Sequence, residues 1–266
     1  MGDLSYKPLI DNMVWSFSRL NSYEDCPYRW YLTYIKHKPE TSKFFASYGS
    51  FIHKLIERYY TGEINKENML LEFLTKFSKN VCGARPSDIV VTKYINQAVE
   101  YFKSFEPLPF NMVAIEDKVE FNIEGIPFVG FIDFLGEENG EYIIVDNKSR
   151  DLKPRSHRIK PTKSDKELDS MLRQLYLYSA AVYQKYGKFP KELCFNCFRT
   201  GILLREPFEI EAYNSTIQWA KDRIAEISAD TDFNPRQSFF ACQYICGVSD
   251  DCIYDIEAFK ERMWGY

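Results

Sequence analysis

Two aspartates and a lysine near the middle of the chain are the first residues whose types and spacing suit a reaction. In GFIDFLGEENGEYIIVDNKS, the dipeptide Asn139-Gly140 predicts a two-residue hairpin turn with positive φ at both positions. Folding the chain there sets Glu138 against Glu141 and, further out, Asp133 against Asp146. Strand side chains alternate faces, so Asp133, Asp146 and Lys148 fall on one face unless a bulge shifts the register. Carboxylates opposed at about 5 Å repel each other, and a cation between them relieves that repulsion. Oxygen donors of this kind suit Mg²⁺ or Mn²⁺. A lysine ammonium beside such an ion orients a water and stabilises charge growing on a phosphate. The alternative is a solvent-facing hairpin with unrelated acids. The flanks GFIDF and YIIVD are strongly apolar, however, and acids in buried strands need a partner.

The elements that must hold these residues follow from periodicity. Ser16 to Ile35, Tyr48 to Tyr60, Asn65 to Phe77 and Ser87 to Phe105 carry apolar residues at helical spacing, and Pro107 and Pro109 close the helical region. MVAIEDKVEFNI, IPFVGFIDFL and EYIIVDNK are three β-rich runs separated by turn signals. A helix from Lys166 to Tyr186 follows, then strands at Leu193 to Phe198 and Ile202 to Ile210, then a helix at Ser215 to Ile227. The expected organisation is an α/β fold in one compact body: a helical lobe at 1–110, an α/β core at 111–232 and an irregular cysteine-bearing tail at 233–266.

The chain has 266 residues and a formal net charge of −4, which by itself argues against a nucleic-acid partner. That charge is unevenly spread. Asn147 to Lys166 holds eight Lys or Arg against two acids, in a proline-bearing loop beside the paired aspartates. Such a loop is either a solvated surface or a phosphate contact. The opening MGDLSYKPLIDNM has no apolar run, so no signal peptide is expected; Tyr6 stands where a myristoylation motif wants Ser or Thr. No stretch has the length and hydropathy of a membrane helix. The expected compartment is cytoplasmic, in a bacterial, archaeal or phage-infected cell, where the seven cysteines are thiols or metal ligands rather than disulfides.

The hairpin residues carry a resemblance. G-x-x-D followed after a hairpin by I-V-D-N-K-S resembles the core of the PD-(D/E)XK nuclease superfamily, and within it the RecB and AddB type and the CRISPR adaptation exonucleases. Four further segments match in the same order. They are SFSRLNSYEDCPYRWYLTYI, Gly49-x-x-x-His53, Gln174-x-x-x-Tyr178 and a terminal triad of Cys242, Cys246 and Cys252. The resemblance implies a restriction-endonuclease-like mixed sheet flanked by helices. It implies a metal-dependent DNA nuclease, an exonuclease on single strands or DNA ends, serving recombination, repair, phage DNA processing or CRISPR spacer acquisition. The implied partners are DNA and recombination or CRISPR adaptation proteins, with no membrane. The same fold without activity, as a DNA-binding or scaffold protein, is the rival; its signature would be a missing catalytic residue.

By resemblance, Asp133 and Asp146 bind the metal, the Asn147 main-chain carbonyl adds a ligand, His53 completes the shell and Lys148 positions the water. A neutral imidazole favours Mn²⁺ among the two ions. Without the resemblance, His53 reads as a core residue among Phe51, Ile52, Leu55 and Ile56. Glu57, one turn on, could orient its ring, and Glu120 is a weaker candidate ligand on the preceding strand. Gln174 and Tyr178 share a helix face and are expected on DNA, with Arg150, Arg155 and, by proximity, Arg173 on phosphate. Cys26 with Cys242, Cys246 and Cys252 resembles a four-iron (4Fe-4S) cluster set, with zinc as the rival ion. The tail spacing Cys-x3-Cys-x5-Cys departs by one residue from the family's usual first gap. Cys82, Cys194 and Cys197 read as core residues, the last two on opposite faces of a strand.

Overall fold

A computed structural model describes residues 6–254; the Met1-Gly2 start and the end of the expected tail lie outside that range. A five-stranded sheet runs in the order β1 (Asn111–Ile123), β2 (Ile126–Glu138), β3 (Glu141–Lys148), β4 (Glu192–Cys197) and β5 (Ile202–Pro207). Neighbours are antiparallel except β3 and β4, which are parallel and joined by α7 (Lys163–Tyr186), so the sheet is mixed as expected. The α7 crossover begins with a reciprocal Thr162–Asp165 capping box and stops at Gly187 in the left-handed conformation.

The two-residue turns of the β1–β2 and β2–β3 hairpins both use positive φ. Asn139 and Gly140 adopt 54° and 82°, and Glu124 and Gly125 adopt 49° and 89°. The β2–β3 register therefore follows the turn out to Phe134 opposite Val145. Trp15 bridges the start of β2 at Phe128, with its N–H on the Pro127 carbonyl and its carbonyl on the Val129 N–H.

The N-terminal lobe holds α1 (Lys7–Asp11), α2 (Phe17–Asp25), α3 (Pro27–Tyr34), α4 (Phe44–Tyr60), α5 (Lys66–Asn80) and α6 (Asp88–Lys103). The single helix expected over Ser16 to Ile35 is two helices. Cys26 takes an extended conformation, its sulfur accepts the Arg29 N–H, and Pro27 starts α3 with no N–H to lose. The last expected helix starts earlier, as α8 (Ile210–Ala229), and the tail contains a short α9 (Phe239–Tyr244). One core joins α7, α8 and α2 to one sheet face. A second fills the α4–α6 lobe, and a smaller third packs Phe134, Ile143, Val145 and Cys194 on the other face. Cys194 and Cys197 thus belong to opposite faces, as expected, and burial raises their thiols to about 12 and about 11. Cys82 is exposed, which corrects its reading as a core residue.

The two ends of the described chain meet. Phe233 stacks on Trp30 and Tyr31 at 5.7 and 5.0 Å between ring centroids, and the Tyr23 hydroxyl donates to Asp230 at 2.6 Å. No helix among the described residues is long and apolar enough to cross a membrane.

Gly130 lets α7 approach the sheet. A Cβ there would lie 2.3 Å from Cε1 of the buried Tyr178 ring. Gly130→Ala is expected to lose about 1–3 kcal/mol through forced displacement of that ring. Differential scanning calorimetry checks this, and an unchanged midpoint would refute the close approach.

Candidate active site

The acids lie where two ladders open at the same level. On the β2–β3 side pairing extends to Phe134 and Val145, after which β3 continues beside β4 through Asp146, Asn147 and Lys148. Asp133 and Asp146 do not form a closed ladder pair as the turn arithmetic had set them. The Asp133 carboxylate instead accepts the Asn147 main-chain N–H at 2.7 Å. On the β1–β2 side Ile115 pairs with Phe134 and Asp117 with Ile132, and Glu116, between them, sits at φ 46°. A left-handed glutamate on a strand is uncommon and concentrates at functional positions.

Helix α4 brings His53 to this opening. His53 Nδ1 is 3.4 Å from Asp133 Oδ2. His53, Glu116 and Asp133 each offer a ligand atom within 4.8 Å of the other two, a spacing that can hold one ion. Burial, then the negative charge of Asp146, pushes the Asp133 carboxyl above its usual range against the pull of His53, the Asn147 N–H and Lys148. Burial, then Asp133, Glu57 and Asp146, pushes Glu116 up to about 7. A bound cation would reverse both shifts. The donors are one nitrogen and hard oxygens, which fit Mg²⁺ or Mn²⁺ better than a thiophilic ion.

Asp146 and Lys148 form the second half of the site, on the α7 side. Lys148 Nζ lies 2.7 Å from Asp146 Oδ2 and donates to Gln174 Oε1 at 2.8 Å, while Gln174 Nε2 donates to Asp146 Oδ1 at 2.8 Å. One glutamine therefore holds both the acid and the lysine in place. Asn147 turns its side chain away, accepting from Asn196 at 2.7 Å, and Asn196 in turn donates to Tyr101. A cavity of about 410 Å³ opens over the site between His53, Glu116, Lys148 and Ser149, with Phe45 on its rim.

The other expected residues have partners within the chain. Gln174 is engaged inside the acid cluster. Tyr178 is 7% exposed, with its phenol raised to about 12 by burial, and contacts Gln174 at 3.3 Å. Arg173 pairs with Glu24 and lies 4.6 Å over the Trp219 ring rather than at the acids. Arg155 pairs with Asp169 and Glu206; Arg150 pairs with Glu167 but stays largely exposed. Glu57 lines the cavity yet is paired to Lys54 at 2.7 Å. Glu120 is exposed and paired to Lys118, so the strand's contribution is Glu116 instead. That residue was reachable. Counting outward from the Glu124-Gly125 turn sets Glu116 opposite Asp133 as surely as counting from Asn139-Gly140 leads to Asp146.

Cys26, Cys242, Cys246 and Cys252 line one cavity of about 460 Å³ between α3 and the tail, which Arg29, Arg236 and Lys43 also line. All four are free and partly buried. Burial raises the Cys246 and Cys252 thiols, and neighbouring thiolates push the same way.

The raised carboxyls set a pH dependence. Their folded-state values exceed the unfolded ones, so the metal-free fold holds extra protons from the ordinary carboxylate range up to about 7 for Glu116. Stability is therefore fully present at the acid side of that window and declines as pH rises through it. In chelator, the thermal midpoint is expected to fall from pH 5 to pH 8. Asp133→Asn and Glu116→Gln should each flatten the fall and raise the pH 8 midpoint by a few degrees, at about 2–4 °C per kcal/mol for a domain of this size. Variants that keep the wild-type slope would show that the acids are not held in this strained state.

A sequence model of the PD-(D/E)XK nuclease superfamily matches residues 14–253. A solved structure from Eubacterium rectale, described as a candidate exonuclease, superposes with a TM-score of 0.55 at 13% identity, covering 100% of this chain and 99% of that one. The structure of SSO0001 superposes at a TM-score of 0.32 and 16% identity, over 77% of this chain and 95% of that one. No curated protein matches the chain in sequence. The first likeness concerns the fold alone. The family match spans the helical lobe, both halves of the acid site and the cysteine tail, and by it this chain belongs to the PD-(D/E)XK nuclease superfamily.

Proposed function

We propose that this chain is a metal-dependent DNA nuclease acting on single strands or duplex ends, with Asp133, Asp146 and Lys148 as its catalytic core. The observation that carries the reading is the Lys148 ammonium. It is held by Asp146 and Gln174 beside a buried, like-charged cluster that calls for a cation. A structural ion pair would need neither the glutamine clamp nor the strained Glu116.

In this reading His53, Glu116 and Asp133 hold the divalent ion, with Asp146 and the Asn147 carbonyl as neighbouring donors. When bound, the ion supplies Lewis-acid stabilisation of charge on a phosphate oxygen. Lys148 donates toward the attacking water and the developing negative charge. Gln174 keeps Asp146 and Lys148 aligned, and Asn147 fixes the Asp133 carboxylate through its N–H. Arg150, with Arg158 and Lys160 of the basic loop and Lys163 and Lys166 in the first turn of α7, is assigned to the DNA backbone. Asp165 pins that loop, accepting from both the N–H and the hydroxyl of Ser156 and of Thr162, so the loop presents its charges on a fixed frame. The order of the five motifs supports a role in DNA end processing, in recombination or in CRISPR spacer acquisition.

We assign the four-thiol cavity to a four-iron cluster. The cavity is lined by three cationic side chains against one acid, Asp250, a net positive wall that suits a dianionic tetrathiolate centre. Zinc is the rival ion, since four thiolates suit it equally.

End-labelled linear and closed circular DNA incubated with Mn²⁺ or Mg²⁺ tests the reaction. Lys148→Ala and Asp133→Asn are each expected to lower the rate by about 10²-fold or more. Products from linear but not circular DNA mark an exonuclease. Equal cleavage by wild type and Lys148→Ala, or none by either, would overturn the mechanism. For the cysteine site, anaerobically purified protein is expected to be brown, and Cys246→Ser to lose both the colour and thermal stability. A colourless, zinc-loaded wild type would reject the iron assignment.

A further inference from the structure

The cavity over the acids has an aromatic rim on one side. Phe45 lines the cavity, and its ring lies 5.5 Å from Phe240, 6.3 Å from Tyr244 and 5.3 Å from Tyr94. Phe240 and Tyr244 are themselves 5.5 Å apart, and Phe240 is 53% exposed. The rings thus form a ridge that begins at the candidate active site and ends on open surface. Phe45 and Phe240 come from opposite ends of the chain. They are brought together because the tail is stitched to the segment before α4. The Thr41 N–H and hydroxyl both donate to the Gly247 carbonyl, and Lys43 donates to Ser249.

Cations flank the ridge. The Arg199 guanidinium lies 3.8 Å over the Tyr94 ring, and its hydrogen-bond partners Gln97, Tyr94 and the Ser149 carbonyl are all neutral. Arg150 is close enough for its charge to act on the Tyr94 hydroxyl, and Lys148 and Lys54, paired with Asp146 and Glu57, line the adjoining cavity. An apolar face between cations, continuous with a phosphodiester site, suits a polyanion that carries flat rings. A protein partner would gain little from the charges, and a stacked duplex presents no ring faces to the ridge.

We propose that Phe45, Phe240 and Tyr244 form a stacking platform for two or three unpaired bases of the strand whose scissile phosphate enters the acid cavity, Phe240 being its exposed step. Arg199 and Arg150 take the phosphates beside those bases. The proposal rests on the nuclease reading for what occupies the cavity. The platform reads ring faces and not base edges, so it is tolerant of sequence and selective for single strands.

The test measures binding in chelator, where no turnover occurs. Single-stranded oligonucleotides carrying 2-aminopurine are titrated into wild type, Phe240→Ala, Phe240→Leu and Phe240→Trp, with Tyr183→Ala as an exposed aromatic elsewhere. Wild type and Phe240→Trp are expected to change the 2-aminopurine emission through stacking. Phe240→Ala and Phe240→Leu should lose that signal at the same position and bind at least about fivefold more weakly. Tyr183→Ala should match wild type, and blunt duplex binding should respond little to Phe240. Unchanged affinity and emission in Phe240→Ala, full rescue by Leu, or an equal loss on duplex would overturn the platform. If wild type cleaves no DNA with either metal yet the Phe240 signal behaves as stated, the platform stands and the nuclease reading fails. If cleavage occurs and the signal is absent, the platform alone fails.

Discussion

Like charges held together in a dry sheet are the constraint on which the rest of this structure depends. Asp133 is buried, Asp146 is more so, and the charge of Asp146 adds to burial in raising the proton affinity of Asp133. A sheet made only for stability would put apolar residues there. Instead both ladders beside β2 open at one level, and Glu116 adopts a left-handed conformation that brings a third acid to the same place. In the proposed reading these features share one explanation, a cation among the acids, whose charge would turn their mutual repulsion into attraction.

The two helices that face the opening divide the work. From the lobe side α4 supplies His53 and the wall of the cavity. From the other side α7 supplies Gln174, which ties Asp146 to Lys148. Tyr178 has a supporting part: its ring fills the space that Gly130 leaves, setting how closely α7 approaches and hence where Gln174 reaches. The Q-x-x-x-Y spacing is thus a clamp and its depth gauge, both acting inside the protein.

Much of this was legible in the sequence, and for local reasons. A turn that demands positive φ at two adjacent residues fixes register by counting, so Asn139-Gly140 led to Asp133, Asp146 and Lys148 from residue types alone. The same rule at Glu124-Gly125 leads to Glu116, but a glutamate–glycine turn is a weaker signal than asparagine–glycine, and Glu120 on the same strand drew attention instead. Apolar periodicity runs straight through the break at Cys26, and only the Cys-Pro step marks the stop. The fate of Gln174, Tyr178 and Arg155 was out of reach. Whether a polar side chain faces solvent or a buried carboxylate depends on packing between elements far apart in the chain, and helical periodicity says only that two residues share a face.

The chain ends join without any metal. Phe233 packs among the rings of Tyr6, Trp30 and Tyr31, Asp230 holds Tyr23, and Gly247 is hydrogen-bonded to Thr41. A metal centre at the four cysteines would add one more tie between the Cys26 segment and the stretch from Cys242 to Cys252. That stretch begins two residues after Phe240 and contains Tyr244, whose rings continue the rim of the acid cavity. The tail thus has a geometric consequence at the other end of the molecule. Fixing its cysteines fixes α9 against Phe45, so the order of the thiol site and the shape of the approach to the acids are set by the same few residues.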